Sequence, residues 1–284
     1  MIVVALGTST AVAPATAVLA QDQITYRNTQ SGRPVGTEDA YAVNRYSLDL
    51  HLAPISVERS SSGEYRWAGN PEMIYGILPR TQIEIGVPLL YRSEEEPRLG
   101  AAGVSLGALY NFNAETGFWP ALAVRTGVLL PAGGLGPSRA HPSIALLGTR
   151  SLRGFRVHVN ARHTFRDEPA PAADGLTLPG AVGHVAASGL SRWMTGVALD
   201  RSFPFASLLV AAETFAVRPF GVDQAVQWNA GIGARYQLTP NTTADAGVAR
   251  RLTGPDQAWS ISLGFGRAIG VRSILPGFGR WGER

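Results

Sequence analysis

The chain has 284 residues, only 16% of them charged, and a mean hydropathy of +0.04. That charged fraction is below the roughly 25% of soluble globular domains, yet no apolar run approaches the roughly 20 residues that a membrane-spanning helix needs. The absence of cysteine excludes disulfides and thiolate metal sites. The basic residues are all arginine and, apart from the pair Arg250-Arg251, are scattered singly, so the net charge of +4 provides no basic run that would bind nucleic acid.

The N-terminal residues are small and apolar, and a polar, irregular stretch follows them. Residues 1–20 end in Ala17-Val-Leu-Ala20, a sequence that signal peptidase accepts, and they are predicted to be a cleaved signal peptide. They carry no Arg or Lys, which signal peptides usually have near the start, and a flexible tail is the alternative. Residues 21–43 are predicted to form a periplasmic arm or a plug.

From residue 44 to residue 270, apolar and polar residues alternate with a period of two, which predicts β-strands. The clearest strand begins at Phe155, where apolar residues at odd positions oppose polar residues at even positions as far as Arg162. The strands run about ten to fourteen residues, long enough to cross a bilayer when tilted. The segment 181–190 is the weakest, and it is interpreted as the upper half of a long eighth strand, with a separate element as the alternative.

The connections between the predicted strands alternate in length. Short turns are predicted at Pro79, Gly154, Pro204 and Pro240. Longer loops are predicted at residues 92–101, 132–141 and 166–180. Short turns on one side and long loops on the other are typical of outer-membrane barrels, whose short turns face the periplasm.

These patterns together predict an all-β fold, a closed antiparallel transmembrane β-barrel of about twelve strands in the bacterial outer membrane. Closure follows because an open sheet of this size would expose strand edges that aggregate. The barrel is predicted over residues 44–270, with a C-terminal tail at residues 271–284. Aromatic residues near the strand ends, among them Trp67, Tyr91 and Trp259, match the girdles of such barrels.

Four segments resemble one family of outer-membrane transporters, which is named for the meta-cleavage pathway of phenol degradation. They are residues 75–91 (YGILPRTQIEIGVPLLY), 103–112 (GVSLGALYNF), 120–131 (PALAVRTGVLLP) and 235–241 (RYQLTPN). The resemblance covers most of the chain from about Asn44 to Gly270. It implies a barrel that passes small, often apolar or aromatic compounds, and it implies no catalytic residues. The chain departs from many outer-membrane proteins because it ends in Trp281-Gly-Glu-Arg rather than on an aromatic residue.

The polar faces of the predicted strands combine into one set that would line the barrel lumen. Its members carry charges of both signs and include two histidines; they are Asp49, His51, Arg66, Glu72, Glu84, Arg125, Arg156, His158, Arg162, Glu213, Arg235 and Asp245. One interpretation is a constriction that selects solutes. The other is an ion-pair network that fills the interior or holds the plug, because opposite charges would pair across a narrow lumen.

No cofactor or metal site is predicted, because the histidines lack ligand spacing and the glycine-rich segments lack the Gly-Lys-Ser/Thr ending of a phosphate loop. His141 and Ser143 share a strand face, but no orienting third group or oxyanion site can be placed beside them. The sequence therefore predicts a non-enzymatic channel or transporter for small molecules, and the resemblance implies that these are hydrophobic or aromatic. Its predicted partners are that solute and outer-membrane lipid, including lipopolysaccharide. The alternatives are a lipid-modifying enzyme and a closed structural barrel without transport.

Overall fold

The structure of the protein is a computed structural model. It describes residues 27–30, 33–52, 55–59, 61, 63, 65–92, 99–165, 191–219, 225–254 and 257–271. Four predictions lie outside these residues: the signal peptide, the long loop at residues 166–180, the eighth-strand extension at residues 181–190, and the tail beyond residue 271. Among the described residues, no helix is long and apolar enough to cross a membrane.

The described residues form one antiparallel sheet of 16 strands. In chain order these strands are β1 (Ser47–His51), β2 (Ile55–Arg59), β3 (Tyr65–Gly69), β4 (Glu72–Leu78), β5 (Thr81–Gly86), β6 (Leu89–Arg92), β7 (Leu99–Ala101), β8 (Val104–Asn113), β9 (Ala121–Leu130), β10 (His141–Leu152), β11 (Phe155–Thr164), β12 (Ser191–Phe203), β13 (Leu208–Pro219), β14 (Gln227–Thr239), β15 (Thr242–Arg251) and β16 (Trp259–Gly270). A single 3-10 turn, Pro204–Ala206, joins β12 to β13.

The sheet closes into a barrel because the last strand pairs with the first. One half of β16 pairs with β2 and the other half with β1. The strands β1 and β2 therefore make one barrel strand in two pieces, and the same holds for β3 with β4, β5 with β6, and β7 with β8. Together with β9 to β16, these composite strands give a closed barrel of twelve strands, which confirms the predicted fold.

The first four barrel strands are broken at the same level, a feature that the sequence pattern did not predict. Pro71 separates β3 from β4, and Pro88 separates β5 from β6. Proline has no backbone N–H to donate to a sheet ladder, so each proline ends a regular strand. The two carbonyls still accept hydrogen bonds, from the N–H of Val87 at 3.1 Å and of Ala102 at 2.7 Å. The wall therefore stays connected across the break.

The outer and inner faces of the barrel differ sharply in polarity. On β16, Trp259, Ile261 and Leu263 point outward with 52%, 60% and 62% of their surface exposed, whereas Ser260 and Ser262 point inward and are buried. The same alternation runs through the other strands, as their sequences predicted. An apolar outside and a polar inside are the hallmark of a barrel that spans a membrane.

An irregular segment before the first strand lies inside the barrel. This inner segment comprises the described residues between 27 and 43, namely 27–30 and 33–43. Val35 packs against Ala198 and Ala211 of the wall. Ala40, which is fully buried, packs against an apolar patch of the inner wall; the patch consists of Leu109, Ala121, Ala123, Ala145 and Leu147. The apolar core of the protein is therefore built between the inner segment and the wall.

Candidate functional site in the barrel lumen

The inner segment is held at one point by Glu213, which projects from β13. The backbone N–H groups of Gly36 and Thr37 each donate to the Glu213 carboxylate at 2.8 Å, one to each oxygen. The Thr37 hydroxyl also donates to it at 2.8 Å. Hydrogen bonds to a charged acceptor are stronger than neutral ones, so Glu213 fixes the position of this turn in the lumen.

A second anchor is Asp245 on β15, which lies between two guanidinium groups. Arg33 of the inner segment donates to its Oδ2 atom from Nε at 2.9 Å, and Arg33 Nη2 contacts the same oxygen. Arg235, on β14, donates from Nε to Asp245 Oδ1 at 2.5 Å. The Arg235 guanidinium also binds the carbonyls of Asn28 and, at 3.1 Å, Arg33. Burial of these charges is tolerated because each one is paired and hydrogen-bonded.

A third anchor is Arg125 on β9, whose guanidinium lies close to three carboxylates. Its Nη1 atom donates to Oε2 of Glu38 in the inner segment at 2.5 Å, and its Nη2 atom contacts the Glu84 carboxylate. Glu72 Oε1 lies 3.8 Å from Nη2. Burial raises the pKa of the Glu38 carboxyl above its ordinary value, and the Arg125 guanidinium opposes that rise. Arg125 thus provides the charge that offsets a locally acidic group of side chains.

Side chains of the wall also satisfy the backbone of the inner segment. Asn160 accepts from the Glu38 N–H and donates to the Glu38 carbonyl, both at 2.8 Å. The Ala40 N–H donates to Thr149 at 2.9 Å, and Asn111 donates to the Ala40 carbonyl at 2.7 Å. These bonds provide the hydrogen-bond partners that a sheet ladder would otherwise provide for buried backbone groups. The irregular segment can therefore lie in the interior without adding a strand.

Beside these anchors, Asp200 on β12 organises a charged group of the wall itself. Arg156 donates to both Asp200 oxygens, at 3.0 and 2.6 Å, and His158 Nε2 lies 2.8 Å from Oδ2. Asp39 of the inner segment is 3.5 Å from Arg156 Nη1. Within the described residues, no group of three or more His, Cys, Asp or Glu side chains is placed to hold a metal ion.

The wall has glycine residues at points where the inner segment lies very close to it. A Cβ atom on Gly233 would lie 2.5 Å from the Pro34 carbonyl oxygen, and one on Gly247 would lie 2.6 Å from it. A Cβ on Gly266 would lie 2.7 Å from a guanidinium nitrogen of Arg33. Only glycine permits such a close approach of backbone and neighbour. The three glycines therefore leave space in the wall for residues 33 and 34.

All twelve residues predicted from the alternation to line the lumen lie on the inner face of the barrel. The inner segment brings one subset of them together; that subset is Glu72, Glu84, Arg125, Arg156, His158, Glu213, Arg235 and Asp245. Arg66 belongs to a separate group around Glu58, whose Oε1 atom lies 3.9 Å from Arg66 and 3.5 Å from Arg251.

The remaining predicted residues make other contacts. Asp49 accepts from the Ser47 hydroxyl at 2.5 Å, and His51 lies 3.9 Å from Glu72. Arg162 donates to the Ser191 hydroxyl at 3.3 Å.

Several residues of the site were missed from the sequence. Glu58 and Asp200 occupy the polar face of their strands, so the same period-two pattern could have identified them. Arg33, Glu38 and Asp39 lie in the inner segment, which has no periodicity to show which way a side chain points. Their contacts depend on how that segment folds back into the barrel.

No protein-family model and no curated protein matches the chain. Among solved structures, the COG4313 outer membrane channel from Pseudomonas putida F1 matches with a TM-score of 0.56 and 14% identity, over 81% of this chain and 98% of that chain. The KdgM porin matches with a TM-score of 0.47 and 10% identity, over 78% of this chain and 99% of that one. The NanC porin matches with a TM-score of 0.49 and 9% identity, over 78% and 100%.

The first of these likenesses and the wall geometry define the class of protein. The chain is an outer-membrane β-barrel, with the fold shown by the likeness to the COG4313 channel. Closed barrels with an apolar exterior span bacterial outer membranes. The closed ring of twelve strands and its apolar outer face therefore place the protein in the bacterial outer membrane.

Proposed function

We propose that the protein is a channel or transporter for small molecules, held closed in this conformation by the inner segment acting as a plug. The main support for this proposal is the way in which that segment is bound. Polar side chains of the wall hold it by hydrogen bonds and ion pairs, with Glu213, Asp245 and Arg125 as the main anchors. Such contacts can exchange with water at modest net cost. Departure of the segment would leave a polar inner wall, which a solute path requires.

The proposed substrates are small hydrophobic or aromatic molecules. The resemblance of the sequence to the transporter family of the meta-cleavage pathway implies this class. One feature of the lumen supports it: the apolar patch that packs on Ala40, which includes Leu109 and Leu147, lies on the inner wall beside polar side chains. Arg125 and Asn160 bind the neighbouring Glu38. A displaced segment would thus expose apolar surface next to polar groups, and pockets for small organic ligands combine the two in this way.

The proposal is tested by measuring solute flux in liposomes. The native protein is compared with Glu213→Gln/Asp245→Asn, a double variant in which two anchors of the plug lose their charge. We expect the variant to pass small neutral aromatics faster than the native protein does, and faster than sugars or salts of similar size. No flux of any solute through either form, with folding shown by heat-modifiable migration on a gel, would contradict a transport role.

A second function, a closed structural barrel without transport, is favoured by a specific observation. Charges of opposite sign in the lumen are paired, as Arg125 is with Glu38 and Glu84. A closed structural barrel would pass no solute in the flux assay, even in the Glu213→Gln/Asp245→Asn variant. The lipid-modifying alternative needs reactive groups near the lipid face. Of the histidines that the structure describes, His51, His141 and His158 are buried inside, and the outward His163 stacks edge-on against Phe165 at 4.9 Å.

A further inference from the structure

Two arginines and two aromatic residues form a row around the outside of the barrel. Arg250 on β15 pairs with Trp259 on β16, Trp259 pairs with Arg59 on β2, and Arg59 pairs with Tyr65 on β3. Paired residues on neighbouring strands sit side by side on one face. Two strand pairs from opposite ends of the sequence, β15 with β16 and β2 with β3, therefore place cation, aromatic, cation and aromatic next to one another.

The row faces outward. Trp259 is 52% exposed and Tyr65 is 49% exposed, and both rings lie on the same face of the wall as the apolar side chains of Ile261 and Leu263. The guanidinium carbon of Arg250 is 5.0 Å from the centre of the Trp259 ring. That of Arg59 is 5.7 Å from the centre of the Tyr65 ring. These distances fit cation–π contacts, which hold each guanidinium against its ring while leaving N–H groups free to bind an anion.

The depth of the row in the membrane follows from its position on the strands. It lies where β15 ends and β16 begins, at the end of the barrel opposite the short turns at residues 79–80, 153–154 and 240–241. Short turns mark the periplasmic end of such barrels, so the row lies at the outer end. Trp and Tyr rings on the lipid face settle at the level of the lipid headgroups. The arginines are therefore held at the headgroup level of the outer leaflet.

The arginines of the row differ from those of the lumen in their partners. In the described part of the chain, neither Arg59 nor Arg250 is paired with a carboxylate; the Arg250 guanidinium donates only to the Gln257 side chain, at 3.3 Å. In the lumen, by contrast, Asp or Glu side chains bind Arg33, Arg125, Arg156 and Arg235. Neighbouring strands are about 4.8 Å apart, so the two guanidiniums on either side of Trp259 stand roughly 10 Å apart at their bases. These two guanidinium groups can bind one phosphate from both sides, or they can bind two neighbouring phosphates.

We propose that this row binds phosphate groups of lipopolysaccharide. The guanidinium group matches phosphate geometry and can donate two parallel hydrogen bonds to it. A phosphorylated lipid is the anion that the outer leaflet presents at this depth, next to apolar chains that pack on Ile261 and Leu263. The proposal concerns the lipid-facing surface, and it stands whether or not the lumen conducts solutes.

The test compares the stability of refolded protein in vesicles of three compositions. They are phosphatidylcholine alone, phosphatidylcholine with increasing lipopolysaccharide, and phosphatidylcholine with phosphatidylglycerol. The readout is the temperature at which the folded band disappears on a gel. The native protein is compared with Arg59→Gln/Arg250→Gln. The control is Arg201→Gln on β12, whose guanidinium lies 5.1 Å from the Phe155 ring at the short-turn end of the barrel.

We expect lipopolysaccharide to raise the transition temperature of the native protein and of Arg201→Gln. The double variant should need at least about tenfold more lipopolysaccharide for the same effect, because two charge-assisted contacts are lost. Three results would overturn the proposal: an unchanged response of the double variant, an equal loss in Arg201→Gln, or an equal response of the native protein to phosphatidylglycerol. Should the double variant fail to fold, the native protein is tested with lipid A stripped of its phosphates, and equal stabilisation by the two forms would overturn it.

Discussion

Arg125 shows how a lumenal residue acquires its role from partners that are distant in the sequence. It faces Glu84 on β5, Glu72 on β4 and Glu38 in the inner segment. The alternation of β9 is enough to predict that Arg125 points inward, and Glu84 follows from β5 in the same way. The pairing itself could not be predicted, because it depends on the closure of the barrel and on the path of Glu38 through it.

Replacing Arg125 with Gln should destabilise the protein, because it leaves buried carboxylates without a counter-charge. The side chains of Glu38 and Glu84 are only 11% and 3% exposed. Removing one partner of a buried ion pair typically costs roughly 3–5 kcal/mol. The free energy of unfolding in urea, measured in lipid vesicles, checks this value.

The matched control for that prediction is the double variant Arg125→Gln/Glu84→Gln. Neutralising Glu84 removes one of the carboxylates that the first change leaves unpaired, so the double variant should regain much of the lost stability. Equal stability of the single and double variants would show that water, rather than Arg125, solvates these carboxylates.

At the scale of elements, the inner segment and the wall differ in how they are held. Wall strands such as β14 are bound on both sides by ladders of backbone hydrogen bonds, in this case with β13 and β15. The inner segment is bound by single side-chain contacts. Where the two meet, at Gly233 and Gly247, a clash should therefore move the segment and leave the wall in place.

Gly233→Ala should loosen the inner segment without unfolding the barrel. The new Cβ atom would lie 2.5 Å from the Pro34 carbonyl oxygen, too close for any side chain. Overpacking of this kind costs about 1–3 kcal/mol. The reporter is Val35→Cys, the sole cysteine in a chain that has none, at a position that is 2% exposed. Its rate of reaction with a water-soluble maleimide should rise about tenfold or more when Gly233→Ala is added.

The control substitution is Gly148→Ala on β10, where a Cβ atom would meet its nearest neighbour at 3.8 Å. That is ordinary contact, so the labelling rate at position 35 should not change. A raised rate in this control as well would mean that any change in the wall loosens the segment. An unchanged rate in Gly233→Ala would mean that the wall yields instead.

At the scale of the whole molecule, the sequence determined the barrel more clearly than its contents. Twelve strands, their order and their inward and outward faces follow from an alternation as plain as that of Trp259 to Leu263, because lipid and lumen impose opposite polarities on one strand. The breaks at Pro71 and Pro88 were not predicted, since alternation continues through them. The inner segment was predicted only as an arm or a plug, because an irregular backbone shows its position only through the partners that it meets.

Three ion pairs of the wall do not involve the inner segment, and this predicts how the protein behaves when that segment is removed. Asp245 keeps Arg235, Arg125 keeps Glu84, and Arg156 keeps Asp200. The backbone ladder closes from β16 to β1 and β2 through wall residues alone. Deletion of residues 27–43 should thus yield a folded, heat-modifiable barrel, with lower stability because the apolar contacts of Ala40 and Val35 are lost.

A substitution at Glu213 tests whether the wall can fold without the inner segment. Its carboxylate takes hydrogen bonds from Gly36 and Thr37, so in the deletion variant water must take their place. Glu213→Gln should then cost about 1–3 kcal/mol in the native protein, where it weakens buried charge-assisted bonds. It should cost little in the deletion variant. A deletion variant that cannot fold would instead show that the inner segment is part of the core on which the wall assembles, and a removable plug would be ruled out.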